Sequence, residues 1–275
     1  MRLHLCLSAI SAGLALSVAP LSGQVPALPA GARTQWVVRG PEEIAGYLTF
    51  DPATVGSRLP PALRFITVQE LASGGVGWAT DYLAAHPAQG SWGISFIEII
   101  RARTFTIDGR APNWPEDGAA ALWFARVEPS NPATDLGPGR PLLVLAFWLP
   151  DSAYAAYMRA RGHFADYGNV KLRRDSTGHW RGSLRVPDLT VAVECTPTGP
   201  VSGGAGSAGT QALFPPATST ITDVVRIAFA GHRVQECAEV SPWTLAGTHP
   251  LAHGVILSPS TVQWGYELLG GAYRR

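Results

Sequence analysis

Short runs of apolar residues, many of them alternating with polar ones, recur along the chain and predict β-strands. Segments rich in glycine and proline, such as IDGRAPNWPEDG and DLGPGRP, separate them and are typical of turns. The pattern therefore predicts a mainly β protein. The runs are TQWVV, ISFIEII, TFTID, ALWFARV, LLVLAFWL, HWRGSLRV, LTVAVEC, TDVVRIAFA and GVILS.

Helical patterns are few. The best is SAYAAYMRARG (152–162), with Ser152 as the expected N-cap, and shorter helices are expected in DPATVGSRL and VGWATDYLAAH. Many strands with few helices favour a largely antiparallel sheet, forming a barrel or sandwich with helices at its edge. The segment 196–216, TPTGPVSGGAGSAGTQALFPP, is predicted to be a flexible surface loop.

The first residues have the layout of a secretory signal peptide. Arg2 is followed by an apolar run to about Val18, then by small residues and a proline. We expect residues 1–23 to be removed, with cleavage between 19 and 24, and the product to be periplasmic or secreted. Strand patterning resumes beyond residue 216, so residues 24–275 are expected to form a single β-rich domain.

Composition narrows the function classes. The formal net charge is +1, and no basic stripe indicates nucleic acid. No apolar run after the leader is long enough to span a membrane. The histidines are scattered without metal-ligand spacing, and residues such as His232 are expected in turns or at the surface. We therefore predict no metal and no cofactor.

Cys195 and Cys237 either form a disulfide or are two separate buried thiols.

Lys171 is the only lysine in the chain. An arginine side chain cannot lose its proton in a protein, whereas a lysine can, and a neutral lysine is able to form a Schiff base. The competing interpretation is compositional, because a GC-rich genome replaces lysine with arginine and one lysine survives by chance.

Several segments, in the same order, resemble the acetoacetate decarboxylase family. They cover most of the chain after the leader, and the resemblance implies a cone-like, antiparallel β-barrel around an interior pocket, often assembled into oligomers. The segments are LTFDPATVGSRLPPALRF, SFIEIIRARTFTIDG, LVLAFWLPDSAYAAYMRARGHFADYGNVKL, HWRGSLRVPDLTVAVECTPTG and HGVILSPSTVQWGYELL.

The resemblance also implies a reaction. In the family a neutral lysine forms an iminium that accepts the electrons left when a β-keto acid loses CO2, and an apolar pocket lowers the pKa of that lysine. Lys171 would be the amine here, and Glu98 the acid that assists proton transfer. Arg39 would hold a carboxylate, and aromatic residues such as Phe96 and Trp123 would line the pocket.

Two alignments of the lysine segment compete. In the first, GNVK stands for the family's GYPK and Lys171 is the nucleophile. In the second, NVKLRRDSTGHWRGSL matches the hairpin that follows, and the reactive position falls on residues that cannot form a Schiff base. Glu98 likewise has an alternative as the polar side of an alternating strand, paired with Arg101 or Arg103.

Three functional interpretations follow. The first is an exported lyase that decarboxylates a small β-keto acid. The second is a binding protein on the same fold that has lost the reactive lysine and holds a small organic acid or ketone. The third is an unrelated exported β-barrel, such as a lipocalin-like carrier.

Overall fold

The computed structural model describes residues 35–134, 136, 140–160, 163–204, 208–214, 223–238 and 243–274. The expected signal peptide lies outside these residues. Strands dominate the described chain and helices are few, which confirms the prediction of a mainly β protein.

Sixteen strands are described. They are β1 Gln35–Phe50, β2 Leu63–Phe65, β3 Gly93–Ile107, β4 Ala120–Pro129, β5 Arg140–Leu149, β6 Ala165–Tyr167, β7 Asn169–Arg174, β8 Trp180–Val186, β9 Leu189–Cys195, β10 Pro197–Gly203, β11 Ala208–Phe214, β12 Asp223–Ala230, β13 Arg233–Cys237, β14 Trp243–Gly247, β15 Ile256–Trp264 and β16 Glu267–Arg274. The α-helices are α1 Val68–Ser73, α2 Gly77–Ala85 and α3 Ser152–Arg159.

Twelve strands form one large sheet, and β14, β9, β8 and β7 form a second, smaller one. Most pairings in the large sheet are antiparallel, but β11 and β6 both run parallel to β5. The sheet is therefore mixed, and the prediction of an antiparallel architecture was wrong at these two pairings. The physical reason is that long stretches of chain, residues 150–164 and 150–207, separate β5 from its parallel partners β6 and β11, and no local turn signal fixes the direction of such pairings.

The long antiparallel ladder between β1 and β3 is the centre of the large sheet. Its register runs from Trp36 opposite Ile107 to Phe50 opposite Gly93. Because side chains alternate between the two faces of a strand, this ladder presents one row to each side of the sheet. One row packs with the small sheet in a shared core that includes Ile44, and the other row faces a separate apolar cluster that includes Trp36.

The helices lie where local signals are strong. Asp151 caps α3 by accepting a hydrogen bond from the Tyr154 amide, so the cap is one residue earlier than expected. Helix α1 was not predicted, although Thr67 and Glu70 form a capping box that the sequence displays. The expected helix in DPATVGSRL consists of two short 3₁₀ turns, Pro52–Thr54 and Gly56–Arg58.

The segment 196–216 was predicted to be a flexible loop, and the structure corrects this. It contains β10 and β11, which pair with β13 and with β5 and β12, respectively. Glycine, serine and alanine give a weak strand signal because they offer little side-chain packing. Here the backbone hydrogen bonds of neighbouring strands decide the conformation.

Cys195 and Cys237 form a disulfide, with 5.2 Å between their Cα atoms. It joins the end of β9 in the small sheet to the end of β13 in the large sheet, and both residues are buried. In the described residues, no helix has the length and apolar character needed to cross a membrane.

Candidate functional site

One face of the large sheet encloses a cavity of about 150 Å³. Within each stretch of strand, alternate residues line the cavity, as period-two geometry requires, although the series on β1 and β3 shifts by one residue between Val38 and Glu43 and between Ile100 and Phe105. The described lining residues are Trp36, Val38, Glu43, Ala45, Tyr47, Phe96, Glu98, Ile100, Phe105, Leu122, Phe124, Arg126, Leu142, Ile227, Phe229, His232, Gln263, Tyr266 and Leu268. The cavity is thus mostly apolar and aromatic, with a few polar groups, as small-molecule sites commonly are.

Two carboxyl groups lie in this cavity. Ala45 pairs with Glu98 across the β1–β3 ladder, and Glu43 pairs with Ile100, so the two glutamates occupy diagonal positions on the same face. Burial raises the pKa of Glu43 to about 7, and a hydrogen bond from Tyr266 partly opposes that increase. Burial also raises the pKa of Glu98 well above its usual range, and the charge of Glu43 raises it further.

Glu98 keeps some accessible surface because it borders the cavity, whereas Glu43 is only 3% exposed. Protein atoms nevertheless surround the Glu98 carboxyl densely enough for burial to be the main cause of its raised pKa. Because burying a carboxylate is costly, these surroundings favour the protonated form of both groups.

Tyr266 and His232 stand beside the acid pair. The Tyr266 hydroxyl donates to Oε2 of Glu43, and the Tyr266 and His232 rings meet edge to face with centroids 5.2 Å apart. The His232 Nε2 is hydrogen-bonded to Oε1 of Gln263, which pairs with Glu43 across β1 and β15. Burial lowers the pKa of His232, so the imidazole is mainly neutral at pH 7.

Two tight turns hold these side chains. Gly231 precedes His232 and Gly265 precedes Tyr266, and both glycines have positive φ angles, of 81° and 73°. A Cβ on Gly231 would lie 3.1 Å from the Gly265 carbonyl oxygen. Glycine at 231 therefore supplies both the left-handed conformation and the close approach of the two turns.

The opposite part of the wall is aromatic. Phe96 and Phe124 stack with centroids 4.8 Å apart, and Phe96 also contacts Tyr47 at 5.8 Å. Arg126 lies two residues beyond Phe124 on β4. It is the only lysine or arginine among the described lining residues.

Glu98 and Phe96 both line the cavity, but the other three predicted site residues, Arg39, Trp123 and Lys171, do not. Arg39 is paired with Glu267 at 3.9 Å, and both side chains are 60% exposed. Its neighbour Val38 takes the inward position, and alternation turns Arg39 to the other side.

Trp123 is fully buried, but in the core shared with the small sheet. Its ring lies 5.8 Å from that of Phe50 and 5.6 Å from that of His249. Phe124, the next residue along β4, lines the cavity instead. Trp123 therefore does not border this cavity, because a shift of one position in a strand means the opposite face.

Lys171 is not a cavity residue. It lies on β7 of the small sheet, its Nζ is 3.3 Å from Oδ2 of Asp117, and its side chain is 44% exposed. Val170 and Leu172 are fully buried, so Lys171 has the outward position expected from the second alignment. The structure does not bring Lys171 and Glu98 together, and the Lys171 amine lies in a solvent-accessible ion pair and not in an apolar pocket.

The sequence reasoning missed Glu43, Tyr266 and His232. Glu43, Ala45 and Tyr47 are every second residue of β1 and therefore share one face of the strand. The sequence pattern alone does not show which of the two faces lines a cavity. Tyr266 lies within the WGYELL segment that resembles the family, and His232 was expected only in a turn. Of the two arginines considered as partners of Glu98, Arg101 pairs with Glu42 instead.

The arrangement can hold and move protons. A protonated Glu98 can donate a hydrogen bond to a ligand carbonyl, and Glu43, with a pKa of about 7, exists in both forms near neutral pH. In the described chain no group of three His, Cys, Asp or Glu residues is arranged to hold a metal ion.

Solved structures provide the comparison. An acetoacetate decarboxylase-like enzyme from Sphingomonas wittichii RW1 is 13% identical over 88% of this chain and 92% of that chain, with a TM-score of 0.49. The enduracididine biosynthesis enzyme MppR, complexed with the condensation product of pyruvate and imidazole 4-carboxaldehyde, is 14% identical over 94% and 97%, with a TM-score of 0.50. No family model and no curated protein matches the sequence.

Fold and site together define a mainly β protein with an acidic, aromatic cavity on one face of its large sheet. The chain shares its fold with MppR over nearly the full length of both chains, which supports the predicted resemblance at the level of fold alone.

Proposed function

We propose that this protein binds a small, partly apolar ketone or carboxylic acid in the cavity without forming a covalent bond to it. The observation that carries the proposal is the pair Glu43 and Glu98 within an aromatic wall, with no lysine among the described lining residues. A protonated Glu98 supplies a hydrogen-bond donor for the ligand oxygen. The apolar wall accommodates the rest of the ligand.

Arg126 supports the carboxylic acid as one form of the ligand. A guanidinium can hold a carboxylate through two parallel hydrogen bonds, and Arg126 borders the same cavity as the two glutamates. A ketone needs only the Glu98 donor. The two ligand types therefore use different groups in one cavity.

The alternative function is decarboxylation of a β-keto acid through a Schiff base on Lys171. Its support is the fold, but the solvent-accessible amine beside Asp117 argues against it.

The strand pairings support the cone-like barrel that the resemblance implies. They can be followed in a circle from β1 through β3, β4, β5, β11, β12 and β16 back to β1. The Cys195–Cys237 disulfide supports export, because disulfides persist in oxidising compartments.

Isothermal titration with pentan-2-one and pentanoate tests the binding proposal. We expect both to bind the wild-type protein, and Ala45→Leu, which adds bulk opposite Glu98, to weaken binding at least tenfold. Arg39→Ala and Lys171→Arg, at exposed positions, are the matched controls and should bind normally. Failure of both ligands to bind, or binding that Ala45→Leu leaves unchanged, would contradict the proposal.

A further inference from the structure

We propose that the Glu43–Glu98 pair catalyses enolisation of a small ketone in the cavity, and thus exchange of the proton on the carbon next to the carbonyl, without lysine or metal. This inference rests on the proposed binding function. Its geometric basis is the diagonal placement of two carboxyl groups on one face of the β1–β3 ladder, both in the same cavity.

The two glutamates differ in surroundings, and that difference assigns their roles. Glu43 accepts a hydrogen bond from Tyr266 at Oε2, which stabilises its ionised form. No hydrogen bond contributes to the pKa shift of Glu98, and the negative charge of Glu43 favours the protonated form of Glu98. Two neighbouring carboxyl groups whose environments separate their pKa values are the arrangement that supplies one acid and one base.

Each group then has a defined step. Glu98 donates its proton to the ketone oxygen while the Glu43 carboxylate removes a proton from the adjacent carbon. The C–H electron pair forms the new C=C bond, and the π electrons of the C=O bond move to the oxygen, which holds the proton from Glu98. The product is the enol, with Glu43 protonated and Glu98 ionised. The proton on Glu43 then exchanges with a water molecule that enters the cavity, and the reverse step returns the ketone with a solvent-derived hydrogen on the carbon, so no oxidant or reductant is required.

The cavity suits this step in two further ways. A carboxylate offers about four acceptor sites, so Glu43 can receive a proton while one oxygen remains bonded to Tyr266. The surrounding aromatic residues, including Phe96 and Phe124, limit water, and electrostatic effects between the carboxyl groups and the ligand are stronger there than in bulk solvent.

The exchange should depend on pH. The titratable or charged groups facing the pair are Tyr47 on β1, Arg126 on β4, His232 in the β12–β13 turn and Tyr266 in the β15–β16 turn. The rate should rise towards pH 7 as Glu43 ionises and fall at higher pH as Glu98 loses its proton, since the two sites titrate as a coupled pair. Exchange catalysed by hydroxide alone would only rise.

The experiment is deuterium incorporation into pentan-2-one in D2O, followed by NMR with the full-length protein. We expect exchange about a hundredfold above background, and a comparable loss in Glu43→Gln and in Glu98→Gln. Glu267→Gln changes an exposed glutamate outside the cavity and is the matched control. Circular dichroism and ligand-observed NMR establish that each variant folds and still binds the ketone.

The outcomes separate the two proposals. Binding of pentan-2-one without exchange overturns the enolisation and leaves the binding function standing, whereas absence of binding overturns both. Exchange that survives Glu98→Gln, or that rises continuously with pH, also overturns the roles assigned here.

Discussion

Glu43 and Glu98 lie diagonally across two adjacent antiparallel strands, and the charge of the first raises the pKa of the second. Burial is the larger cause for both residues. The surroundings of the cavity therefore favour the protonated form of both carboxyl groups.

The first prediction concerns stability against pH. The pKa of Glu43 is raised from 4.5 to about 7, so between these values the folded protein holds a proton that the unfolded chain has lost. Stability contributed by Glu43 should therefore be intact below about pH 4.5 and decrease as pH rises through 7. Each pH unit between the two pKa values lowers the free energy of unfolding by about 1.4 kcal/mol, so the total decrease is roughly 3 kcal/mol.

Denaturant unfolding of wild type and Glu43→Gln from pH 4.5 to 8 measures this loss. The difference between the two proteins is the relevant quantity, because His232 and His249 have lowered pKa values and act in the opposite direction below pH 6.5. Parallel stability curves for the two proteins would show that Glu43 does not titrate as described.

The second prediction concerns Tyr266→Phe. Removal of the hydroxyl deprives the buried Glu43 carboxyl of its donor, which should raise the pKa of Glu43 further and cost about 1–3 kcal/mol of folding free energy. Carbon-13 NMR of the glutamate carboxyl groups follows the titration directly. Tyr167→Phe alters an exposed tyrosine and serves as the control. If the Glu43 titration in Tyr266→Phe matched that of wild type, the hydrogen bond would have no influence.

The third prediction concerns Lys171→Arg. Arginine can replace lysine in the exposed ion pair with Asp117, so the free energy of unfolding should change by less than about 0.5 kcal/mol. Borohydride reduction in the presence of pyruvate or acetoacetate should leave no adduct on Lys171 of the native protein by peptide mass spectrometry. An adduct at that residue would restore the Schiff-base mechanism.

The fourth prediction concerns the disulfide. Cys195 and Cys237 are 42 residues apart in the chain, so the bond constrains a long loop in the unfolded state. The double variant Cys195→Ala, Cys237→Ala should unfold more easily by about 2–4 kcal/mol. Added reductant should destabilise wild type but not the double variant. Equal sensitivity of the two proteins to reductant would mean that the bond is absent in solution.

The fifth prediction separates two adjacent aromatic residues. Trp123→Ala and Phe124→Ala each remove a buried ring, and each should cost about 3–5 kcal/mol. Only Phe124→Ala should enlarge the ligand cavity and favour bulkier ketones, such as 4-phenylbutan-2-one over pentan-2-one, in competition titrations. A change in ligand preference caused by Trp123→Ala would show that the two faces of β4 are not separate.

The sequence by itself determined the elements of this protein. Alternating apolar residues located most strands, among them the ISFIEII segment of β3, because a half-buried strand must repeat every two residues. The order of the family-like segments predicted the fold. The sequence also placed Glu98 and Phe96 on the same face of one strand, which is a local property.

Only the tertiary structure decided which face of each strand meets the cavity. Arg39 and Trp123 do not border it, because alternation separates two faces of a strand without identifying the inner one, and Lys171 lies on a different sheet. Glu43 and Tyr266 are 223 residues apart, yet they share a hydrogen bond because β1 pairs with both β15 and β16. Such long-range contacts depend on how strands assemble, and no local pattern carries that information.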